Sequence, residues 1–154
     1  MSFLDTLRRQ DFGAAFRLIA QRPELANAPD ERGFPPLTLA TYANNLAFTN
    51  LLLDYGADLE ARDAKGNTAL MGVCFKGYPE LARLLLERGA NPDAQNSDGS
   101  TALHFAVLFD QTACAAVLLQ HGADPHLVDA RGMSAVRSAE ANGKTELLAL
   151  LAGH

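Results

Sequence analysis

Residues 96–128 read NSDGSTALHFAVLFDQTACAAVLLQHGADPHLV, and a step of 33 residues carries the landmarks of this stretch onto others of their kind. Gly99 belongs to the series Gly33, Gly66, Gly99 and Gly132. Gly122 belongs to Gly56, Gly89 and Gly122, and Asp110 to Asn44, Gly77, Asp110 and Gly143. A fixed period of this length means an array of one supersecondary unit. Inside the unit, Leu103 and Ala106 share a face at the i, i+3 spacing of a buried helical stripe, as do Leu37 with Ala40, Leu70 with Val73 and Val136 with Ala139. A second apolar run follows in each unit: Leu51-Leu52-Leu53, Leu84-Leu85-Leu86, Val117-Leu118-Leu119 and Leu150-Leu151. Two short helices cannot bury both faces alone, so neighbouring units must stack.

The punctuation fits that reading. Gly56, Gly89 and Gly122 follow the leucine runs and are expected to end the second helix in the left-handed conformation. Asn44, Gly77, Asp110 and Gly143 fall between the two helices, and Gly, Asn and Asp are the residues that best tolerate φ > 0. Thr68, Thr101 and Ser134 stand where an N-cap is wanted. The first full unit reads Pro35-Pro36-Leu37 instead, with no hydroxyl cap but with proline suited to a first helical turn.

The opening DGSTALHFA and the later LLQHGAD resemble the ankyrin repeat, whose hallmark is D-x-x-G-x-T-P-L-H-x-A followed by L-L-L-x-x-G-A-D. LLLDYGADLEAR, KGNTALMGV and LLLERGANPDAQ place the neighbours in the same frame. The resemblance implies an all-α solenoid of stacked helix-turn-helix pairs with β-turn fingers. It divides a single domain, 1–154, into a divergent N-terminal unit 2–29, units 30–62, 63–95 and 96–128, and a C-terminal capping unit 129–154. The N-terminal unit lacks the signature but shows helix-like segments near Phe3–Arg9 and Phe12–Ala20. In the family, the His of the motif and the Thr three residues before it brace the turn. Only His104 keeps that position; Thr38, Met71 and Arg137 replace it elsewhere, which implies lower stability than a consensus array.

Composition sets the class of partner. The chain of 154 residues is 48% hydrophobic and 20% charged, with net charge −5, and has no Lys/Arg block. Nucleic acid and anionic membranes are therefore poor partners. No apolar run approaches the roughly 20 residues of a membrane span. The N-terminus MSFLDTLRRQDF has no apolar signal-peptide core, so the expected location is cytoplasmic. Cys74 and Cys114 occupy positions that face helix packing and read as buried thiols rather than a disulfide or redox pair.

Chemistry is not indicated. The chain has no G-x-G-x-x-G, P-loop, G-x-S-x-G or H-E-x-x-H pattern. His121, Asp124 and His126 are close in sequence, but nothing completes a ligand set. His121 precedes Gly122, where a cationic side chain suits a helix C-terminus. Asp30, Asp63, Asn96 and Asp129 open the units as turn formers. The expectation is no enzyme, no cofactor and no metal.

Proteins of the resembled family usually bind partners on the concave surface made by finger tips and first helices. By register, that surface here carries Arg32, Phe34, Tyr42, Lys65, Phe75, Lys76, Leu108, Phe109, Arg131 and Met133 as partner-binding residues. Tyr42, Phe75 and Leu108 form an apolar ladder at the repeat period, with Arg32, Lys65, Lys76 and Arg131 beside it. Aromatic anchors with basic neighbours are what a protein-binding hot spot looks like. The competing reading turns these side chains inward onto the helices. Of the adjacent pair Leu108 and Phe109, one is expected to pack and the other to be exposed.

The function implied is a monomeric, non-catalytic scaffold for another protein. Two rivals stand beside it. The LLALLA segment ending the last unit has little polar capping and is a candidate for self-assembly. The short form is also similar to small bacterial ankyrin proteins, some of which resemble accessory or immunity-type factors for one enzyme or toxin.

Overall fold

Six of the helices begin where the sequence supplies a side-chain acceptor for their first free N–H groups. Thr68, Thr101 and Ser134 are extended in backbone and accept from the amides of Met71, His104 and Arg137. Asp11 and Asn45 do the same for Ala14 and Phe48, and Ser2 with Asp5 forms a reciprocal capping box. The computed structural model describes residues 1–154. Ten α-helices follow in pairs: α1 (Phe3–Arg9) and α2 (Phe12–Gln21), α3 (Pro36–Tyr42) and α4 (Leu46–Asp54), α5 (Ala69–Lys76) and α6 (Pro79–Glu87), α7 (Ala102–Leu108) and α8 (Thr112–Gln120), α9 (Ala135–Ala141) and α10 (Thr145–Leu151). A 3₁₀ turn, Pro23–Asn27, links the first pair to the second. Strand pairing is limited to one antiparallel bridge, Val128 with Ser134, so the fold is an all-α repeat solenoid.

The first helices α1, α3, α5, α7 and α9 pack in succession, and each pairs with the second helix of its own unit. A single core cluster runs through the whole stack. Leu37, Leu70 and Leu103 are buried on it, as are Ala40, Val73, Ala106 and Ala139. Val136 is only half-buried, because no further first helix covers it. Left-handed backbone occurs at Asn44 (φ 52°), Asp110 (φ 57°), Gly77 (φ 79°) and Gly143 (φ 63°), as the spacing requires. Gln10 (φ 56°) takes the same role between α1 and α2, a position the repeat pattern did not reach.

Each finger is tied by the residue that opens it. Asp30, Asp63, Asn96 and Asp129 each accept two backbone N–H groups through one side-chain oxygen, at 2.8–3.0 Å. Successive fingers are joined where Ser97 N–H donates to Lys65 O and Ala130 N–H to Asp98 O. Arg62 spans its own finger and the next through Gly66 O and Gln95 O, and Gln95 repeats the pattern with Gly99 O and Val128 O. The first finger, Asp30–Phe34, has no such backbone bond to its neighbour. It is linked to the N-terminal unit by Arg8, 3.5 Å from Asp30.

The braces of the first helices differ from unit to unit. His104 receives the Thr101 N–H at 3.0 Å and reaches the Met133 carbonyl at 2.9 Å. Met71 offers the Thr68 N–H only a sulfur at 3.5 Å, a weak acceptor. Thr38 is buried with its hydroxyl unpaired. The LLALLA segment, read from sequence as a candidate for self-assembly, turns most of its leucine side chains inward. Leu147 and Leu151 are buried, and Leu148 and Leu150 pack partly against the core. The exposed apolar patch at an end of the stack lies at the other end, on Phe12 and Phe16, which share one shallow hollow with Ala47 and Tyr55.

Candidate functional site

The finger tips and the C-terminal ends of α3, α5, α7 and α9 form one face of the stack. The ends are fixed by left-handed residues and by side chains reaching back from the next unit. Gln111 Nε2 donates to Phe75 O at 3.1 Å. Lys144 Nζ donates to Val107 O and Leu108 O at 2.6 and 3.0 Å, and also pairs with Asp110 at 3.0 Å. These bonds satisfy the Phe75 and Leu108 carbonyls at the helix ends and add to the long Asp110 N–H bond on Val107. They hold the last residues of α5 and α7 at a set height above the groove.

On this face the ladder is partly exposed and partly packed. Phe75 and Leu108 are 43% and 52% exposed, unusual for side chains of this size. Phe109 is exposed too, so the expectation that one of the Leu108–Phe109 pair packs away is wrong. Phe109 is the C-cap of α7 and turns its ring edge-on to Phe75, centroids 4.7 Å apart at 82°, while Leu108 faces the groove. Tyr42 combines both readings. It is half-buried, with its ring lying over Gly72 of the next unit, where a Cβ would collide with it. Phe34 and Met133 are also half-buried, whereas Arg32, Lys65, Lys76 and Arg131 are exposed.

The charges are held ready rather than neutralised. The Arg32 guanidinium lies 5.0 Å from the Phe34 ring centroid and the Lys76 ammonium 5.7 Å from that of Tyr42. Arg32, Lys65 and Lys76 form no ion pair. Arg131 is the exception: its guanidinium donates to Asp129 Oδ2 at 3.4 Å, while two finger amides occupy Oδ1. Burial pushes the Asp129 carboxyl up, but the Met133 and Arg131 amides and the Arg131 guanidinium together hold it below its ordinary value. The Asp30 carboxyl is lowered in the same way, first by the Phe34 amide. Burial raises the Tyr42 phenol, and the Asp63 carboxylate adds to the effect.

Three concavities of similar size, about 250, 310 and 270 Å³, run along the face. They are one site repeated. The finger side is lined in turn by Phe34, Asn67 and Ser100, and the helix side by Tyr42, Phe75 and Leu108. At the tips stand Lys65, Asp98 and Arg131. The step between corresponding residues is 33 throughout. The ladder was legible from the period; the concavities were not, because they need the finger wall opposite the helix wall.

The other candidates go elsewhere. His121 Nδ1 lies 2.9 Å from the Val117 carbonyl at the end of α8. His126 N–H is bonded to Asp124, and His126 Nε2 meets the His154 carbonyl at 3.2 Å. No group of three His, Cys, Asp or Glu side chains converges as metal ligands. Cys74 and Cys114 are both buried, unpaired cysteines. The Cys74 thiol is pushed up by its hydrogen bond to Cys114 and by burial, which keeps it protonated and unreactive. A second regularity escaped the sequence reading: Asn27, Glu60 and Asp93 each accept the backbone N–H of a residue 31 positions on, in the next unit.

A model of the family described as ankyrin repeats (3 copies) matches residues 9–96, 37–129 and 76–154. Among characterised proteins, 81 residues are 39% identical to Protein phosphatase 1 regulatory subunit 27 of Mus musculus, covering 53% of this chain and 53% of that protein. The Homo sapiens protein of the same name gives the same identity and coverage. A stretch of 68 residues is 34% identical to Ankyrin repeat and MYND domain-containing protein 1 of Mus musculus, covering 44% of this chain and 7% of that protein. The aligned part thus spans about half the length of the first two relatives.

Proposed function

The chain belongs to the ankyrin repeat family, and from that premise we propose that it binds its partner protein on the concave face, without catalysis of its own. The residues assigned to the contact are Arg32, Phe34, Tyr42, Lys65, Phe75, Lys76, Leu108, Phe109, Arg131 and Met133. The observation that carries the reading is the row Phe75, Leu108 and Phe109, exposed together beside unpaired cations. Large apolar groups in such a row favour being covered, and a desolvated aromatic cluster is where interface energy concentrates. The three concavities give shape to the contact, and Lys65, Lys76 and Arg32 select a partner edge of negative charge.

The narrower part of the proposal concerns the kind of partner. Similarity to a protein named as a regulatory subunit of protein phosphatase 1 supports an accessory role on an enzyme over self-assembly. The inward turn of Leu147 and Leu151 supports the same choice, and with it a monomeric state. Net charge −5 supports a protein rather than a nucleic acid. No helix is long and apolar enough to cross a membrane. A cytoplasmic place is part of the proposal, supported by two cysteines left as thiols.

Photo-crosslinking tests the face. A photoreactive amino acid is placed at position 75 or 108, and for comparison at Arg83 on the exposed side of α6. Purified protein phosphatase 1 and cell extract serve as sources of partner. The proposal predicts one dominant cross-linked protein from 75 and 108 and none from 83. Cross-links from 83 alone would place recognition on another face.

A further inference from the structure

The three concavities carry more information than the presence of a groove. Corresponding wall residues lie one unit apart, and the first helices α3, α5, α7 and α9 pack directly on one another. Directly packed helices are about 8–10 Å apart, so the concavities repeat at about that distance. Few backbones place equivalent side chains at this interval. A β-strand covers about 10 Å in three residues, but its third residue points to the opposite face. A polyproline-type strand covers about 9.3 Å in three residues and makes one full turn, so every third side chain returns to the same face. An α-helix needs about seven residues for the same interval.

The walls choose between the last two. Asn67 lines the middle concavity, and Ser100, Ser138 and Asn142 line the last. A helix has already satisfied its own backbone and would press these polar groups against carbon. A polyproline-type strand has no internal hydrogen bonds and brings free carbonyl and amide groups to meet them. The tips then set the charge pattern. Lys65 stands on the wall shared by the first and middle concavities and Arg131 at the last, with the exposed Asp98 between them, while the Asp63 and Asp129 carboxylates of the end concavities are taken up by finger amides. Acidic side chains are therefore favoured at both ends of the occupant and disfavoured at its centre.

We infer that the segment seated on this face is an extended, polyproline-type peptide with apolar side chains three residues apart and acidic residues at its ends. The inference rests on the concave face being the binding face, as proposed above. It narrows the partner to one that presents an unstructured strand rather than a helix or a folded surface.

Fluorescence anisotropy with synthetic peptides tests it on the full chain. The probe is the decapeptide EPLSPLSPLE. Its comparators are the same residues rearranged with leucine at every second position, the lysine-ended KPLSPLSPLK, and a helix-forming peptide with leucine at every seventh position. The first is expected to bind saturably and the others at least about tenfold more weakly, the size of effect a misplaced anchor or charge has. In Lys65→Glu/Arg131→Glu, which alters only exposed side chains, the order of the glutamate-ended and lysine-ended peptides is expected to reverse. Equal binding of all spacings, or preference for the helical peptide, overturns the inference. So does failure of every peptide while cross-links to a partner still form from 75 and 108, a result that leaves the broader proposal standing. Failure of the peptides with cross-links only from Arg83 removes both.

Discussion

At the residue scale, the position after the motif leucine shows how one side chain sets the bracing of a unit. His104 joins its own helix start to the next finger through Thr101 and Met133. Thr38, at the same register, is too short to do this and leaves a buried hydroxyl with no partner. Thr38→Val is expected to raise stability by about 1 kcal/mol, since it removes an unsatisfied polar atom without changing volume. Urea unfolding measures this, and an equal loss would mean the hydroxyl has a partner. The finger carboxylates give a pH signature. Asp30 and Asp129 have lowered folded values, so their stabilisation is complete above the ordinary carboxylate value of about 4. It is lost as pH falls through the lowered value. Asn96 holds its finger with an amide oxygen in the same geometry. Asp30→Asn/Asp129→Asn is therefore expected to keep the fold at neutral pH and to flatten the loss of stability below about pH 4. An unchanged acid limb would remove these two groups from the account. The roles of Asp30, Asp63, Asn96 and Asp129 were legible in the sequence, because Asx residues form local turns wherever they open one. The exposure of both Leu108 and Phe109 was not. It depends on Asp110 ending α7 in a left-handed turn, which leaves Phe109 as a cap with its ring edge-on to Phe75.

At the element scale, the helix pairs were legible because both their stripes and their stops repeat. What holds one pair to the next was not, since its partners lie about one period apart and have varied chemistry. Gln111 caps α5 with an amide, and Lys144 caps α7 with an ammonium. The Asn27, Glu60 and Asp93 ladder on another side of the loops mixes residue types in the same way. Gly77 stands where two of these demands meet. Its φ is +79°, and the Gln111 amide lies where a Cβ would be. Gly77→Val is expected to cost at least about 2 kcal/mol, from left-handed strain in a β-branched residue and from displacing the Gln111 cap. Thermal melts with matched urea titrations measure it, and a melting temperature equal to the parent's would contradict the assignment of Gly77 as an obligate left-handed cap.

At the scale of the whole molecule, bracing is uneven along the stack. The finger of the 96–128 unit is joined to the fingers on both sides by backbone hydrogen bonds, and the Asp30–Phe34 finger has none to its neighbour. The helix after that first finger starts on Pro35 without a side-chain cap. Hydrogen exchange is expected to be faster over residues 30–42 than over the matching residues 96–108, and the opposite order would show that bracing is set elsewhere. The same unevenness puts the better-ordered part of the concave face at Phe75, Leu108 and Phe109. The period in the sequence pointed to these residues, and the structure adds the opposing finger wall and the packing of Tyr42 on Gly72. The molecule exposes a second apolar patch, Phe12 and Phe16 at the N-terminal end, which the period did not reach because that unit lacks the motif. Two patches allow one decisive comparison. The affinity of the cross-linked partner is measured by titration for Phe75→Ala/Leu108→Ala and for Phe12→Ala/Phe16→Ala, each confirmed folded by circular dichroism. The account predicts that the first pair weakens binding by about 2–4 kcal/mol and that the second leaves it unchanged. Undiminished binding by the concave-face variant, with loss in the N-terminal one, would contradict it.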